Sequence, residues 1–262
     1  MRVLPIPCLS DNYAYLVVCP DTNEAAIVDA SEAEPVAQAV LSAKVKVAAI
    51  WSTHHHWDHV GGNEELAKRY GVDVYGHASD KGRLAGQTRF VESGERLTLG
   101  NLGVLVHHIP GHTLGAIAYV VEARVEDSGK GRKAVFTGDT MFVAGCGRLF
   151  EGTPQQMQTS LEWLASLDPE TQVFCGHEYT EKNLAFAAHV EPSNAEVTHA
   201  LAAAKETRAA GKPTVPSRIA EERKTNPFLR VDSPEIRQRV GIAEDADAAT
   251  AFAAVRKAKD GF

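Results

Sequence analysis

The segment Thr53-His54-His55-His56-Trp57-Asp58-His59 puts four potential metal ligands, His54, His56, Asp58 and His59, within six residues. Imidazole and carboxylate donors suit zinc, iron or manganese, and each such ion takes three or four protein ligands. The segment follows Val47–Trp51, an apolar run of strand character. In an extended chain alternate residues share a face. His54, His56 and Asp58 are therefore expected to point into one cavity, with His59 joining where the chain turns and His55 on the opposite face. Gly61-Gly62 is expected to allow a tight turn into the next helix. A lone histidine is more often a satisfied core residue than a ligand. Four donors at this spacing after a buried strand are not explained that way.

Three later segments repeat a pattern of strand, glycine and ligand. His112 lies in Pro110-Gly111-His112-Thr113 after Val104–Ile109, Asp139 in Thr137-Gly138-Asp139-Thr140 after Ala134–Phe136, and His177 in Cys175-Gly176-His177-Glu178 after Gln172–Phe174. Each is a weak signal alone, because Gly-Asp is a common turn and Gly-His a common pair. Together they point to a shared cavity at strand ends, where glycine lets the backbone approach a packed site. The four cysteines, Cys8, Cys19, Cys146 and Cys175, form no Cys-x-x-Cys and read as reduced, mostly buried thiols.

These ligands need a scaffold, and 262 residues with 44% apolar and 23% charged side chains can bury a sizeable core. Strand-length runs and short helices alternate through about the first 175 residues. Helices are expected over Glu34–Ala43, from a cap at Asn63 through Tyr70, and after the Thr153-Pro154 start, with Met157, Leu161 and Leu164 as its stripe. Beyond Glu178 alanine-rich helical stretches take over, at Thr180–Val190, Ala195–Ala210 and Ala246–Lys259, with another start at Ser233-Pro234. A net charge of −7 argues against a nucleic-acid partner. No apolar run approaches the length of a membrane span, and Met-Arg-Val-Leu-Pro-Ile-Pro shows no signal-peptide core. A cytoplasmic protein acting as a monomer, with no membrane and no nucleic-acid partner, is expected.

The pattern His54-x-His56-x-Asp58-His59, with His112, Asp139 and His177 downstream, resembles the metal signature of the metallo-β-lactamase superfamily. A more specific resemblance, to the glyoxalase II (hydroxyacylglutathione hydrolase) family, runs over nearly the whole chain. It is carried by Leu9-Ser10-Asp11-Asn12-Tyr13, Thr53–Gly62, Phe136–Gly147, Cys175-Gly176-His177-Glu178-Tyr179-Thr180 and Thr225-Asn226-Pro227-Phe228. The resemblance implies an α+β fold, an αββα sandwich over residues 1–177 followed by a small all-helical substrate-binding domain over 178–262. It implies two divalent ions per chain, zinc first, with iron or manganese accepted by the same donors. One ion would be held by His54, His56 and His112, the other by Asp58, His59 and His177, with Asp139 bridging. Asp29 reads either as a strand-ending turn residue or, under the resemblance, as a carboxylate behind the ligands.

The activity implied is hydrolysis of an S-2-hydroxyacylglutathione thioester, of the S-D-lactoylglutathione type, to glutathione and a 2-hydroxy acid, the second step of methylglyoxal detoxification. A metal lowers the pKa of bound water from 15.7 to about 7, and the leaving thiolate has a pKa near ~8.5. No nucleophilic side chain is then needed; Asp58 and Asp139 are the catalytic carboxylates, orienting and bridging. The resemblance places Arg148, Phe150, His177, Tyr179, Arg256 and Lys259 against the substrate. Phe150 stands where many relatives carry tyrosine, and Ala116 where some carry a second histidine. Without the resemblance, Arg256 and Lys259 would read as cations favoured at a helix C-terminus. Within the superfamily the alternatives are a persulfide dioxygenase, a lactonase, an RNA-processing nuclease and a β-lactamase; outside it, a non-catalytic metal scaffold.

Overall fold

Runs of β-branched and aromatic residues form the strands, and the short polar and glycine-containing segments between them form the turns. The computed structural model describes residues 1–123 and 133–262. They divide into two compact units, Met1–His108 with Gly115–Gly138, and Ile109–Leu114 with Asp139–Phe262.

The first unit opens with β1 (Arg2–Cys8), β2 (Asn12–Cys19), β3 (Glu24–Val28), α1 (Ala33–Ala43), β4 (Lys46–Trp51), α2 (Trp57–Val60), α3 (Asn63–Tyr70), β5 (Val74–His77) and β6 (Arg89–Val91). Its six strands lie in sequence order in one sheet, antiparallel across β1, β2 and β3 and parallel from β3 to β6. Then come β7 (Arg96–Leu99), β8 (Leu102–His108), β9 (Ile117–Glu122) and β10 (Lys133–Gly138), paired antiparallel in that order. All eight residues of β2 are buried, because both faces are covered. Ala14, Leu16 and Val18 join Val36, Val40 and Leu66 of the flanking helices in one core cluster. On the other face Tyr15 meets Phe136 of β10 edge-on at 5.5 Å, and Trp51 stacks on Tyr119 of β9 at 5.3 Å.

Two local readings change. Asn63 does not cap α3: it is the first helical residue, and its buried amide donates to Ser52 Oγ and the Ala85 carbonyl, both at 3.0 Å. Gly61 and Gly62 have ordinary negative φ. Glycine is needed there for close approach, since a Cβ would come within 2.7 Å of the Ser31 carbonyl oxygen at 61 and 2.8 Å of the Ala33 nitrogen at 62.

The second unit holds a short hairpin of β11 (Met141–Phe142) and β12 (Gly145–Cys146), then α4 (Pro154–Ser166), β13 (Gln172–Cys175), α5 (Thr180–Val190), α6 (Ala195–Ala209), β14 (Ser217–Arg218), α7 (Ile219–Thr225), α8 (Pro234–Val240) and α9 (Ala248–Asp260). The α4 start is a full capping box: Thr153 Oγ1 accepts from Gln156 N at 3.2 Å and Gln156 Oε1 from Thr153 N at 2.9 Å. Asn194 caps α6 by accepting from Glu196 N and Val197 N. Ser233 precedes α8, yet its hydroxyl donates to Glu191 Oε1 at 2.6 Å instead of capping. The helical C-terminal stretch is interrupted by β14, which pairs antiparallel with β13.

Candidate metal centre

The ligand segment begins where β4 stops. Residues 52–56 carry neither strand nor helix, and α2 begins at Trp57. The expected extended alternation therefore gives way to a bend, followed by a helical turn that carries Asp58 and His59. The bend still gathers the imidazoles: His54 lies 4.8 Å from His56 and 4.2 Å from His59, ring centre to ring centre. His59 Nε2 is 3.6 Å from Asp58 Oδ2.

Asp29 settles as a support. It sits past the end of β3 with φ of 50°, a left-handed conformation that aspartate tolerates better than most residues. Its Oδ1 accepts from Thr53 N at 2.8 Å, and its Oδ2 accepts from Thr53 Oγ1 at 2.8 Å and from His59 Nδ1 at 3.0 Å. The Thr53 hydroxyl gives its proton to Asp29, so it accepts from the Nδ1–H of His54 at 3.0 Å. Both His54 and His59 thereby carry the proton on Nδ1 and keep the lone pair on Nε2. Thr53 and Asn12 are site residues that spacing did not reveal: Asn12 Nδ2 donates to Asp58 Oδ2 at 3.0 Å and to its carbonyl at 3.1 Å. No local pattern links positions 12 and 58; only strand pairing brings them together.

In the second unit Asp139 receives two histidines. His177 Nε2 is 3.2 Å and His112 Nε2 3.5 Å from Asp139 Oδ2. His112 Nδ1 donates to the Arg148 carbonyl at 2.8 Å, and a carbonyl can only accept, so this ring too keeps its lone pair on Nε2. Gly147 is required here: any Cβ would overlap the Asp139 carbonyl and come within 2.9 Å of His112 Nδ1.

The residues expected against substrate are in the second unit. Tyr179 stacks flat on His177 at 4.8 Å. Phe150 is exposed, with its ring 5.2 Å from His112. Arg148 is largely exposed and lies 3.8 Å from Asp260 Oδ1. Lys259 Nζ sits over the Phe186 and Phe262 rings at 5.1 and 5.3 Å and donates to the Lys182 carbonyl at 3.0 Å. Burial, then the charges of Arg256 and Lys182, bring its pKa down to about 8. Arg256 is placed differently from an open carboxylate reader. It is buried, its Nη1 donates to the Cys146 carbonyl at 2.9 Å, and its Nη2 and Nε donate to Asp260 Oδ1 at 2.8 and 3.1 Å. It holds β12 and the loop that carries Arg148.

Three histidines, His59, His54 and His112, have Nδ1 fixed by a carboxylate, a hydroxyl and a carbonyl, and each keeps on Nε2 the lone pair that a divalent metal takes. The chain carries His/Asp clusters suited to a two-metal site.

Comparison with known proteins agrees. A family model described as the metallo-beta-lactamase superfamily matches residues 10–177, and one described as the hydroxyacylglutathione hydrolase C-terminus matches residues 178–262. The chain is 46% identical to the cytoplasmic hydroxyacylglutathione hydrolase of Arabidopsis thaliana over 94% of this chain and 95% of that protein. It is 43% identical to the hydroxyacylglutathione hydrolase of Maricaulis maris over 100% and 99% of the two chains. Among solved structures, ETHE1 from Myxococcus xanthus superposes with a TM-score of 0.64 at 24% identity, covering 99% of this chain and 100% of its own. At that identity the likeness speaks for the fold alone. TTHA1623, solved in a di-iron-bound form, superposes with a TM-score of 0.58 at 25% identity, over 87% of this chain and 100% of its own. The fold is accordingly α+β, of metallo-β-lactamase type with a helical C-terminal region. From its histidine-rich segment to its last helices, the chain belongs to the hydroxyacylglutathione hydrolase family of the metallo-β-lactamase superfamily.

Proposed function

We propose that this protein hydrolyses S-2-hydroxyacylglutathione, S-D-lactoylglutathione being the type substrate, to glutathione and a 2-hydroxy acid, as the second step of methylglyoxal detoxification. The observation that carries this reading is the similarity to hydroxyacylglutathione hydrolases over the whole chain, including the helices after residue 177. The ligand signature alone specifies metal chemistry but not a substrate. Residues 1–177 are assigned to metal binding and catalysis and 178–262 to substrate binding. One ion is assigned to His54, His56 and His112, the other to Asp58, His59 and His177, with Asp139 shared. Zinc is the first choice of metal, and iron or manganese suits the same donors.

Two divalent ions bound there supply hydroxide near neutral pH and Lewis-acid polarisation of the thioester carbonyl. The protein's own groups do the rest. Asp29, Thr53 and the Arg148 carbonyl hold three imidazoles in the ligating tautomer. Asn12 orients the Asp58 carboxylate by donating to it. Glutathione brings two carboxylates, and Arg148 and Lys259 are the cations assigned to them, with Tyr179 and Phe150 along the substrate. Arg256 acts on the substrate side through the loop it holds. Among the described residues no helix is long and apolar enough to cross a membrane; action in the cytoplasm as a monomer is part of the proposal.

The test is a thioesterase assay with S-D-lactoylglutathione followed by metal analysis of the same sample. Two ions per chain and turnover are expected. Asp139→Ala should lower metal content and reduce kcat far more than it changes KM. One ion at full activity, or near-normal kcat in Asp139→Ala, would reject the shared-ligand mechanism. Metal without turnover on any glutathione thioester would reject the substrate.

A further inference from the structure

The middle histidine of the ligand segment holds no metal in this reading, yet its ring lies between an arginine and a buried carboxylate. Arg83 Nη2 lies 2.8 Å from His55 Nε2, and Asp80 Oδ1 lies 3.4 Å from His55 Nδ1. A guanidinium can only donate, so Nε2 accepts and the ring proton sits on Nδ1, the nitrogen at ion-pair distance from Asp80, a polar contact longer than a hydrogen bond. Arg83 Nη1 closes the triangle at 3.7 Å from the same Asp80 oxygen. Asp80 is wholly buried, at 0% exposure. A buried carboxylate needs cations and polar groups around it, and Arg83 and His55 face this one at ion-pair distance. Gly115 makes the room: a Cβ there would overlap the Asp80 carboxyl.

Strand order explains why this matters for the site. The ligand segment leaves β4, whose neighbours in the sheet are β3 and β5. Asp29 follows β3, and Asp80 follows β5 in the single helical turn Ala78–Asp80. Each neighbouring strand therefore ends near a carboxylate that reaches the segment between them. Asp29 fastens Thr53 and His59, the two ends. The stretch from 54 to 56 has no strand or helix ladder of its own, and His55 at its centre is what Asp80 reaches. The His55 ring lies 5.0 Å from that of His56, which in turn lies 4.8 Å from His54.

We propose that Asp80, acting through His55 and Arg83, is a positioning residue that fixes the orientation of His54 and His56 for metal binding. The proposal rests on the ligand role assigned above to those two histidines. Supporting partners behind metal ligands are worth about 10–100-fold in metal affinity or activity. Asp80→Ala should therefore speed metal loss to a chelator by about 10–100-fold, with kcat reduced alongside and KM within about threefold of the wild type. Asp80→Asn keeps a side chain of the same size with an oxygen toward His55 Nδ1, so it should recover most of the affinity. Gly115→Ala should mimic Asp80→Ala by displacing the carboxyl without touching His55.

The readout that separates positioning from simple support is the unfolding temperature of the metal-stripped protein. It should stay within about 2 °C of the wild type in Asp80→Ala, a shift corresponding to well under a destabilising core change. Wild-type rates of metal release in Asp80→Ala would overturn the proposal. So would metal loss that tracks a falling unfolding temperature and is not recovered in Asp80→Asn. The metal-release and unfolding measurements use no substrate. A wild type that holds its metals but leaves glutathione thioesters intact would overturn the functional reading and leave this one standing.

Discussion

Lys259 shows how one residue can combine binding with pH response. Its ammonium is packed between two phenylalanine rings, and burial plus neighbouring cations lower its pKa to about 8. If it reads a carboxylate of glutathione, it does so only while protonated. KM for a glutathione thioester should then rise as pH passes about 8, while kcat changes less over the same interval. Lys259→Gln should raise KM at neutral pH by roughly ten- to a hundredfold, the value of one charge-assisted hydrogen bond, and should abolish the alkaline arm. A small thioester without glutathione should show neither effect. An alkaline arm that survives in Lys259→Gln would assign the titration to another group.

Among the elements, the hairpin of β11 and β12 depends on side chains far along the chain. Ala144, at its turn, has φ of 53° and donates its N–H to Glu222 Oε2 at 2.9 Å. Asn226 Nδ2 donates to the Gly145 carbonyl and to Glu222 Oε2, both at 3.0 Å. That gives the Thr225-Asn226-Pro227-Phe228 stretch a physical task, holding the loop between Asp139 and Arg148. Helix α4 is specified locally instead. Thr153→Ala removes the acceptor for Gln156 N and should cost about 1 kcal/mol, lowering the unfolding temperature by roughly 2–4 °C. Metal content and KM should not move. A change in either would mean that the α4 start reaches the site.

For the molecule as a whole, two kinds of titratable group pull stability in opposite directions with pH. Burial first, then the neighbouring His108, hold His77 and His107 below their ordinary 6.5. The stability tied to their neutral forms is full above that value and is lost as pH falls through it. Burial pushes the Glu222 carboxyl from 4.5 up to about 7 against the donors that favour its charged form. Its contribution is full below 4.5 and is lost as pH rises through the interval to about 7. Glu222→Gln keeps an acceptor for Ala144 and Asn226 and cannot ionise. Its urea midpoint should gain on the wild type steadily from about pH 4.5 to about 7 and run parallel above that. A constant difference across the interval would show that Glu222 does not titrate there. His77→Gln should soften the loss of stability below about pH 6.5.

Residue type and short-range spacing were enough, in the sequence alone, to mark His54, His56, Asp58, His59, His112, Asp139 and His177 as ligand candidates and to read a mixed α/β stretch followed by helices. Imidazole and carboxylate declare their chemistry wherever they stand, and period, caps and prolines act within a few residues. Of the support behind the ligands, Asp29 was open between two readings, one of them given by the family resemblance, and Asp80 was hidden, because this support is assembled by strand order. Asp29 and Asp80 lie far from position 55 in sequence and reach the ligand segment only because β3 and β5 flank β4. The bend at residues 52–56, the close approach that demands glycine at 61 and 62, and the Asn63 amide turned toward Ser52 are likewise consequences of neighbours supplied by the fold. Arg256 marks the same boundary: its charge and helical position suit a ligand carboxylate, but tertiary packing commits its guanidinium to Cys146 and Asp260. A buried donor takes whatever acceptor the surrounding backbone brings within reach, and sequence spacing does not encode that.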